Sequence, residues 1–203
     1  NDPKDMTPYV PLLMPEIQKS LTDPLPEVRA TSARAMGSLL RGMGADAFSD
    51  LVPWLMATLR SDGSSVEHSG AAQGLAEVLS VLGTAHLEAL LPDVLEGCRD
   101  RAANVRAGHI TLFQFLPITL GPIFQPHLAR TLPALLDGLA DESEAVRDAA
   151  LTAGRVVVDA YTDTAMELLL PAIEGGLFDD NWRIRQSSVL LLGKLLFKVV
   201  GAT

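Results

Sequence analysis

Cysteine occurs once in this chain, aromatic side chains make up 5% of it, and no hydrophobic run is a credible membrane span. A lone Cys98 excludes an internal disulfide and a cysteine-built zinc site, and it points to a reducing compartment. Few aromatics and no alternating apolar–polar runs remove the usual signature of strands. The longest stretch free of Asp, Glu, Lys and Arg, residues 107–129, is broken by Pro117, Pro122 and Pro126 and carries Gln114 and Gln125. No basic-then-apolar leader opens the sequence. Positive charge is also scarce: 16 Lys and Arg stand against 25 Asp and Glu, a net charge of −9. That balance argues against broad electrostatic wrapping of nucleic acid while leaving room for a local basic patch.

Catalytic signatures are missing as well. There is no G-x-x-x-x-G-K-[ST] phosphate loop and no G-x-S-x-G elbow. The four histidines, His68, His86, His109 and His127, stand at unlike repeat positions, and none is followed by Glu. Convergent His and Glu ligands at helical spacing, as a di-iron centre requires, are therefore not expected. The expectation is a protein that is not an enzyme, with no cofactor and no small-molecule substrate.

What the sequence does contain is one unit written five times. Pro15, Pro53, Pro92, Pro133 and Pro171 each follow apolar residues, and thirteen positions after each stands Val28, Val66, Val105, Val146 or Ile184. The unit-to-unit steps of 38, 39, 41 and 38 residues match helical-hairpin repeats of the HEAT and armadillo type. Ala, Leu and Met dominate, as expected where helices pack on helices. The predicted fold is all-α: an α-solenoid of five HEAT-type hairpins in a right-handed superhelical array. Its repeats cover about residues 8–43, 46–83, 85–120, 122–161 and 164–201 of one array.

Within each unit, apolar residues two and six places after the proline form one stripe on a first helix: Ile17 and Leu21, Leu55 and Leu59, Val94 and Cys98, Leu135 and Leu139, Ile173 and Leu177. Cys98 fills a stripe position and reads as a small buried hydrophobe. Eight places after the proline come Asp23, Ser61, Asp100, Asp141 and Asp179, and fourteen after it Arg29, Glu67, Arg106, Arg147 and Arg185. The acid falls in the inter-helix turn, where it is expected to accept backbone N–H bonds as an N-cap does. The Arg falls in the first turn of the second helix. Stacked repeats would align these pairs in a ladder between turns, interrupted at Ser61 and Glu67.

Prolines within the first helices, such as Pro53 and Pro133, are expected to kink them. The second helix of repeat three should run to about Leu116, with Pro117 and then Gly121-Pro122 ending the repeat. The last helix is apolar around much of its circumference over residues 189–197, so an adjoining repeat is expected to cover it and the array to be a cut from a longer one. From Asn181 onward the chain carries Arg183, Arg185, Lys194 and Lys198 and no acid. Arg183, Lys194 and Lys198 are the candidate partner contact, a small cationic patch for RNA phosphate or an acidic protein; the plainer reading is a solvated helix face with Trp182 packed in the turn. Arg34 and Arg41 read as solubilising, and Trp54 as core packing before interaction anchor.

Residues 69–78, SGAAQGLAEV, 115–119, FLPIT, 141–150, DESEAVRDAA, and above all 177–189, LFDDNWRIRQSSV, give the chain a more specific likeness. It resembles the eukaryotic general-control translational activator family over essentially its whole length. The resemblance implies a cytoplasmic HEAT scaffold that binds ribosomes and helps to activate the general-control kinase acting on the alpha subunit of translation initiation factor 2. None of that family's kinase-docking residues can be placed on this chain. A HEAT scaffold of another type, such as a nuclear transport receptor or a phosphatase scaffold subunit, and a spacer segment with no partner of its own are the alternatives.

Overall fold

The computed structural model describes residues 8–201. Among them the regular structure is entirely helical, in nine α-helices: α1 (Val10–Ser20), α2 (Pro26–Met43), α3 (Leu51–Arg60), α4 (Ser65–Leu82), α5 (Thr84–Gly97), α6 (Ala103–Leu120), α7 (Leu128–Leu139), α8 (Glu144–Leu177) and α9 (Trp182–Gly201). Short 3-10 turns, Ala45–Phe48, Gly121–Ile123 and Gln125–His127, lead into α3 and α7. Two compact units divide inside α5, one up to Val94 and one from Leu95.

In the first unit α1 packs on α2, α3 on α4, and α2 on α4. Leu21, Leu55, Leu59, Leu75 and Met36 lie at 1% exposure or less there, which is the stripe that the three- and four-residue spacing requires. The close approach of layers depends on Gly70: a Cβ at that position in α4 would overlap the backbone carbonyl of Leu21. Gly44 and Gly83, with φ of 89° and 86°, stop α2 and α4 in a conformation that L side chains rarely adopt.

In the second unit α6 and α7 pack on α8, and α8 on α9. Its core is built around Phe124, fully buried, whose ring centroid lies 6.3 Å from Phe113, 6.1 Å from His127 and 6.5 Å from Tyr161. The Tyr161 hydroxyl donates to Gly121 O at 2.7 Å, satisfying the one polar group that this aromatic would otherwise bury. Glycine again sets the spacing, since a Cβ at Gly97 would run into the His109 ring and one at Gly176 into the Ser188 hydroxyl. Cys98 is buried, and desolvation pushes its thiol up to about 12. It is a core atom, protonated and inert at neutral pH.

Three readings of helix boundaries are corrected. Pro117 does not end α6, which continues to Leu120 with the ring buried; the stop is Gly121, the second of the two expected breakers, where φ turns to +53°. No loop separates the fourth and fifth repeats: α8 is two helices that meet at a kink, Ala165 with φ −136° and ψ 28°, one residue past the expected start of the fifth at Thr164. Pro53 is the third residue of α3, in the first turn, where its missing N–H costs no helical bond. Pro133 and Pro171 lie inside their helices.

Candidate functional site

The repeated Asp and Arg build one local device four times over. Oδ1 of Asp23, Asp100, Asp141 and Asp179 accepts the backbone N–H two residues on, from Leu25, Ala102, Ser143 and Asn181, at 2.8 Å each. This is an Asx-turn and not the expected N-cap. The helix begins three residues after the acid, and Leu25, Ala102 and Ser143 hold the cap positions without a side-chain cap bond. The Arg six residues later closes the loop. Nη1 of Arg29 donates to Asp23 O at 2.7 Å and Pro24 O at 2.9 Å, and Arg106, Arg147 and Arg185 make the same pair of bonds to their own turns. Each Arg therefore clasps carbonyls left free where the chain reverses.

The expected ladder is reduced to one rung among the described residues: Arg147 and Asp179 stand at its positions but each bonds only its own turn. Arg106 holds Asp141 bidentately, Nε to Oδ2 and Nη2 to Oδ1, both at 2.8 Å. The two side chains are only 11% and 13% exposed. The fork geometry needs a carboxylate at the acid position of the next repeat. In the second repeat that position is Ser61, and the turn is wired differently. Ser64 and Glu67 form a reciprocal capping box, whose bonds hold the Glu67 carboxyl below the usual range. The buried His68 directs Nε2 at Ser61 O, 3.1 Å away. Arg29 keeps its clasp, but its Nε is buried with no hydrogen-bond partner. Ser61→Asp is accordingly expected to supply the acceptor and raise stability by about 1 kcal/mol in urea unfolding; a loss of stability would show that Arg29 does not face position 61 as Arg106 faces Asp141.

On α9 the three candidate contact residues fall along one face, because the 11 positions from Arg183 to Lys194 turn the helix by about 20° net of whole turns. They are not equivalent. The Lys194 ammonium is paired with Asp159 Oδ2 of α8 at 2.7 Å, which neutralises it locally. The Arg183 guanidinium lies over the Trp182 ring, 5.0 Å from its centroid. Trp182 is not packed into the turn: it is 57% exposed, and Phe178, which closes α8, is 81% exposed. Lys198 is half-buried in the last turn of the helix. Arg185 is committed to its turn. The cationic surface is thus Arg183 with its aromatic neighbours, and Lys198, joined by apolar positions that charge alone could not have revealed. Arg34 and Arg41 are exposed on α2, and Trp54 is half-buried on α3. Among the described residues no group of three or more His, Cys, Asp or Glu is placed to hold a metal ion.

Stacked helical pairs, an Asx-turn with an Arg clasp at four of the reversals, and glycines where helices touch define the class: an α-helical repeat protein built of HEAT units. A model of the HEAT repeat matches residues 13–43, and the model described as EF3 N-terminal HEAT repeat matches residues 68–199. The chain belongs to this EF3 N-terminal HEAT repeat family, and it is homologous over its length to the GCN1 proteins. It is 61% identical over 202 residues to "Protein ILITYHIA" of Arabidopsis thaliana and 52% identical over 204 residues to "Stalled ribosome sensor GCN1" of Homo sapiens, with all of this chain covered in both. It is 44% identical over 200 residues to "eIF-2-alpha kinase activator GCN1" of Saccharomyces cerevisiae, with 98% covered. The chain spans 8% of the length of each.

Proposed function

We propose that this chain is a non-catalytic scaffold segment that binds cytoplasmic ribosomes and takes part in activating the kinase that acts on the alpha subunit of translation initiation factor 2. One observation carries the reading: 98–100% of the chain aligns to relatives named as a stalled ribosome sensor and as activators of that kinase. The geometry is in keeping with it. Hairpins pack on one another within each unit, and α9 offers Arg183 with Trp182 at its start and Lys198 about 22 Å further along the helix as contacts for RNA phosphate or an acidic protein.

The test is co-sedimentation with purified eukaryotic ribosomes at low and moderate salt. Salt-sensitive binding is expected, weakened several-fold in an Arg183→Glu, Lys198→Glu variant because two phosphate contacts are reversed. Lys194 is left intact in that variant, since Glu there would face Asp159 and disturb the packing of α9 on α8. No binding at low salt by a chain shown to be helical and folded overturns the proposal and makes this stretch a spacer.

A further inference from the structure

A cavity of about 300 Å³ opens in the first unit, where the connector from α2 into α3 meets the end of α4 and the start of α5. Phe48, Leu51, Val78 and Leu79 line it and are buried, so it reaches into the core; Ser49, His86 and Ala89 line it and are exposed, so they form its mouth. None of the residues that line it is Asp, Glu, Lys or Arg. A charged ligand would give up its hydration there without gaining a counter-charge.

His86 sets the polar character of the mouth. Its Nδ1 lies 3.1 Å from Leu82 O, the carbonyl of the last residue of α4. A carbonyl only accepts, so Nδ1 carries the hydrogen, and Nε2 of the neutral ring is an acceptor. The Ser49 hydroxyl both donates and accepts, and so does not discriminate. The site therefore suits an uncharged apolar body that carries a donor. Size narrows the choice: about 150 Å³ is enough to take up benzene, and 300 Å³ leaves room for a substituent or a second fused ring. The second unit supplies the same chemistry from its own chain. After Gly121 its connector brings Phe124, fully buried near Phe113 and Tyr161, and the Tyr161 hydroxyl donates to Gly121 O. After Gly44 the first unit's connector carries Ala45 and Ala47, and its one aromatic, Phe48, is already a wall of the cavity.

We propose that this cavity is a binding site for an uncharged aromatic ring bearing one hydrogen-bond donor, a phenol or an indole, with the ring among Phe48, Leu51, Val78 and Leu79 and the donor on His86 Nε2. A few convergent polar groups over an apolar floor are what orient a ligand in such a site. The ring can belong to a free small molecule or to a tyrosine or tryptophan side chain, which present the same chemistry. The site is independent of ribosome binding, and its test does not depend on that reading.

The experiment titrates the 203-residue chain with 4-methylphenol and with toluene, followed by amide nuclear magnetic resonance shifts. Saturable shifts are expected at Val78, Leu79 and the other lining residues, with 4-methylphenol binding about five-fold more tightly than toluene, the worth of one net hydrogen bond. His86→Leu should keep toluene binding and lose that preference. Ala89→Trp, which puts an indole of the chain's own at the mouth, should block both ligands. His86 and Ala89 are exposed, so both variants fold, which circular dichroism checks. N-acetyltyrosine amide separates the two sources: if it binds as 4-methylphenol does, a side chain can enter, and if 4-methylphenol alone binds, the ligand is a free small molecule. Either result supports the site. No saturable shift with 4-methylphenol, shifts away from the lining residues, toluene binding as tightly in the parent, or a preference that survives His86→Leu overturns the proposal.

Discussion

Gly70→Ala is expected to destabilise the first unit by about 3 kcal/mol, at the upper end of ordinary overpacking, although alanine is the better helix former by about 1 kcal/mol. The added Cβ would overlap the carbonyl of Leu21, and that oxygen cannot swing aside as a side chain can. It belongs to the backbone at the end of α1, where the Leu21 amide already bonds Ile17 O and Gln18 O at 3.0 and 3.2 Å. Relief therefore requires moving α1 relative to α4, which loosens the packing of the Leu21 side chain over Gly74. Gly175→Ala is the control. It stands in α8, where an added Cβ would meet nothing within 4 Å, and it should stabilise by a few tenths to about 1 kcal/mol through helix propensity. Urea unfolding followed by far-ultraviolet circular dichroism measures both. Equal effects at the two positions would show that the α1–α4 approach is softer than the structure has it.

Arg106→Ala is expected to cost the second unit about 3 kcal/mol, the low end for stripping one partner from a mostly buried ion pair. The change removes two bonds to Asp141 and two to the carbonyls of Asp100 and Arg101. It also leaves the Asp141 carboxylate, 13% exposed, without its counter-charge. Arg106→Lys should recover only part, because an ammonium cannot span a carboxylate edge and a turn at once. The pair also gives a pH signature. Burial pushes the Asp141 carboxyl up, but hydrogen bonds from Arg106 and the Ser143 amide, with the charges of Arg106 and Arg147, outweigh it and leave the group below its ordinary 3.8. A carboxylate whose pKa falls on folding adds stability above its unfolded-state value and loses it as pH falls through the folded one. The contribution is complete above about pH 4 and fades below it, so Asp141→Asn should flatten the acid limb of stability against pH. An acid limb unchanged by Asp141→Asn would remove the pair from the account of stability.

The sequence by itself determined the helices, the period and the turn chemistry of this protein. Apolar spacing at three and four residues marks the buried stripe, and an acid eight places and an Arg fourteen places after a proline are close enough along the chain to find each other whatever the rest does. These are short-range relations, and five repetitions make them legible. The same periodicity, with the runs around Trp182, was enough to carry the resemblance to the translational-activator family.

Relations between repeats were decided only by the tertiary structure. Arg106 and Arg147 read identically in sequence, each followed by an Asp at the acid position of the next repeat, yet Arg106 holds its Asp bidentately and Arg147 bonds only its own turn, because what stands opposite is set by the packing of one hairpin on the next. Lys194 and Lys198 share a face and a charge, yet Asp159 of α8 takes one of them. Pro117 and Gly121 both read as terminators, and only the structure shows the Pro117 ring buried within α6 and the helix carried on to Gly121. Which glycines are indispensable was equally hidden: Gly70 and Gly175 are both helical, and only the position of the neighbouring backbone separates a contact from open space.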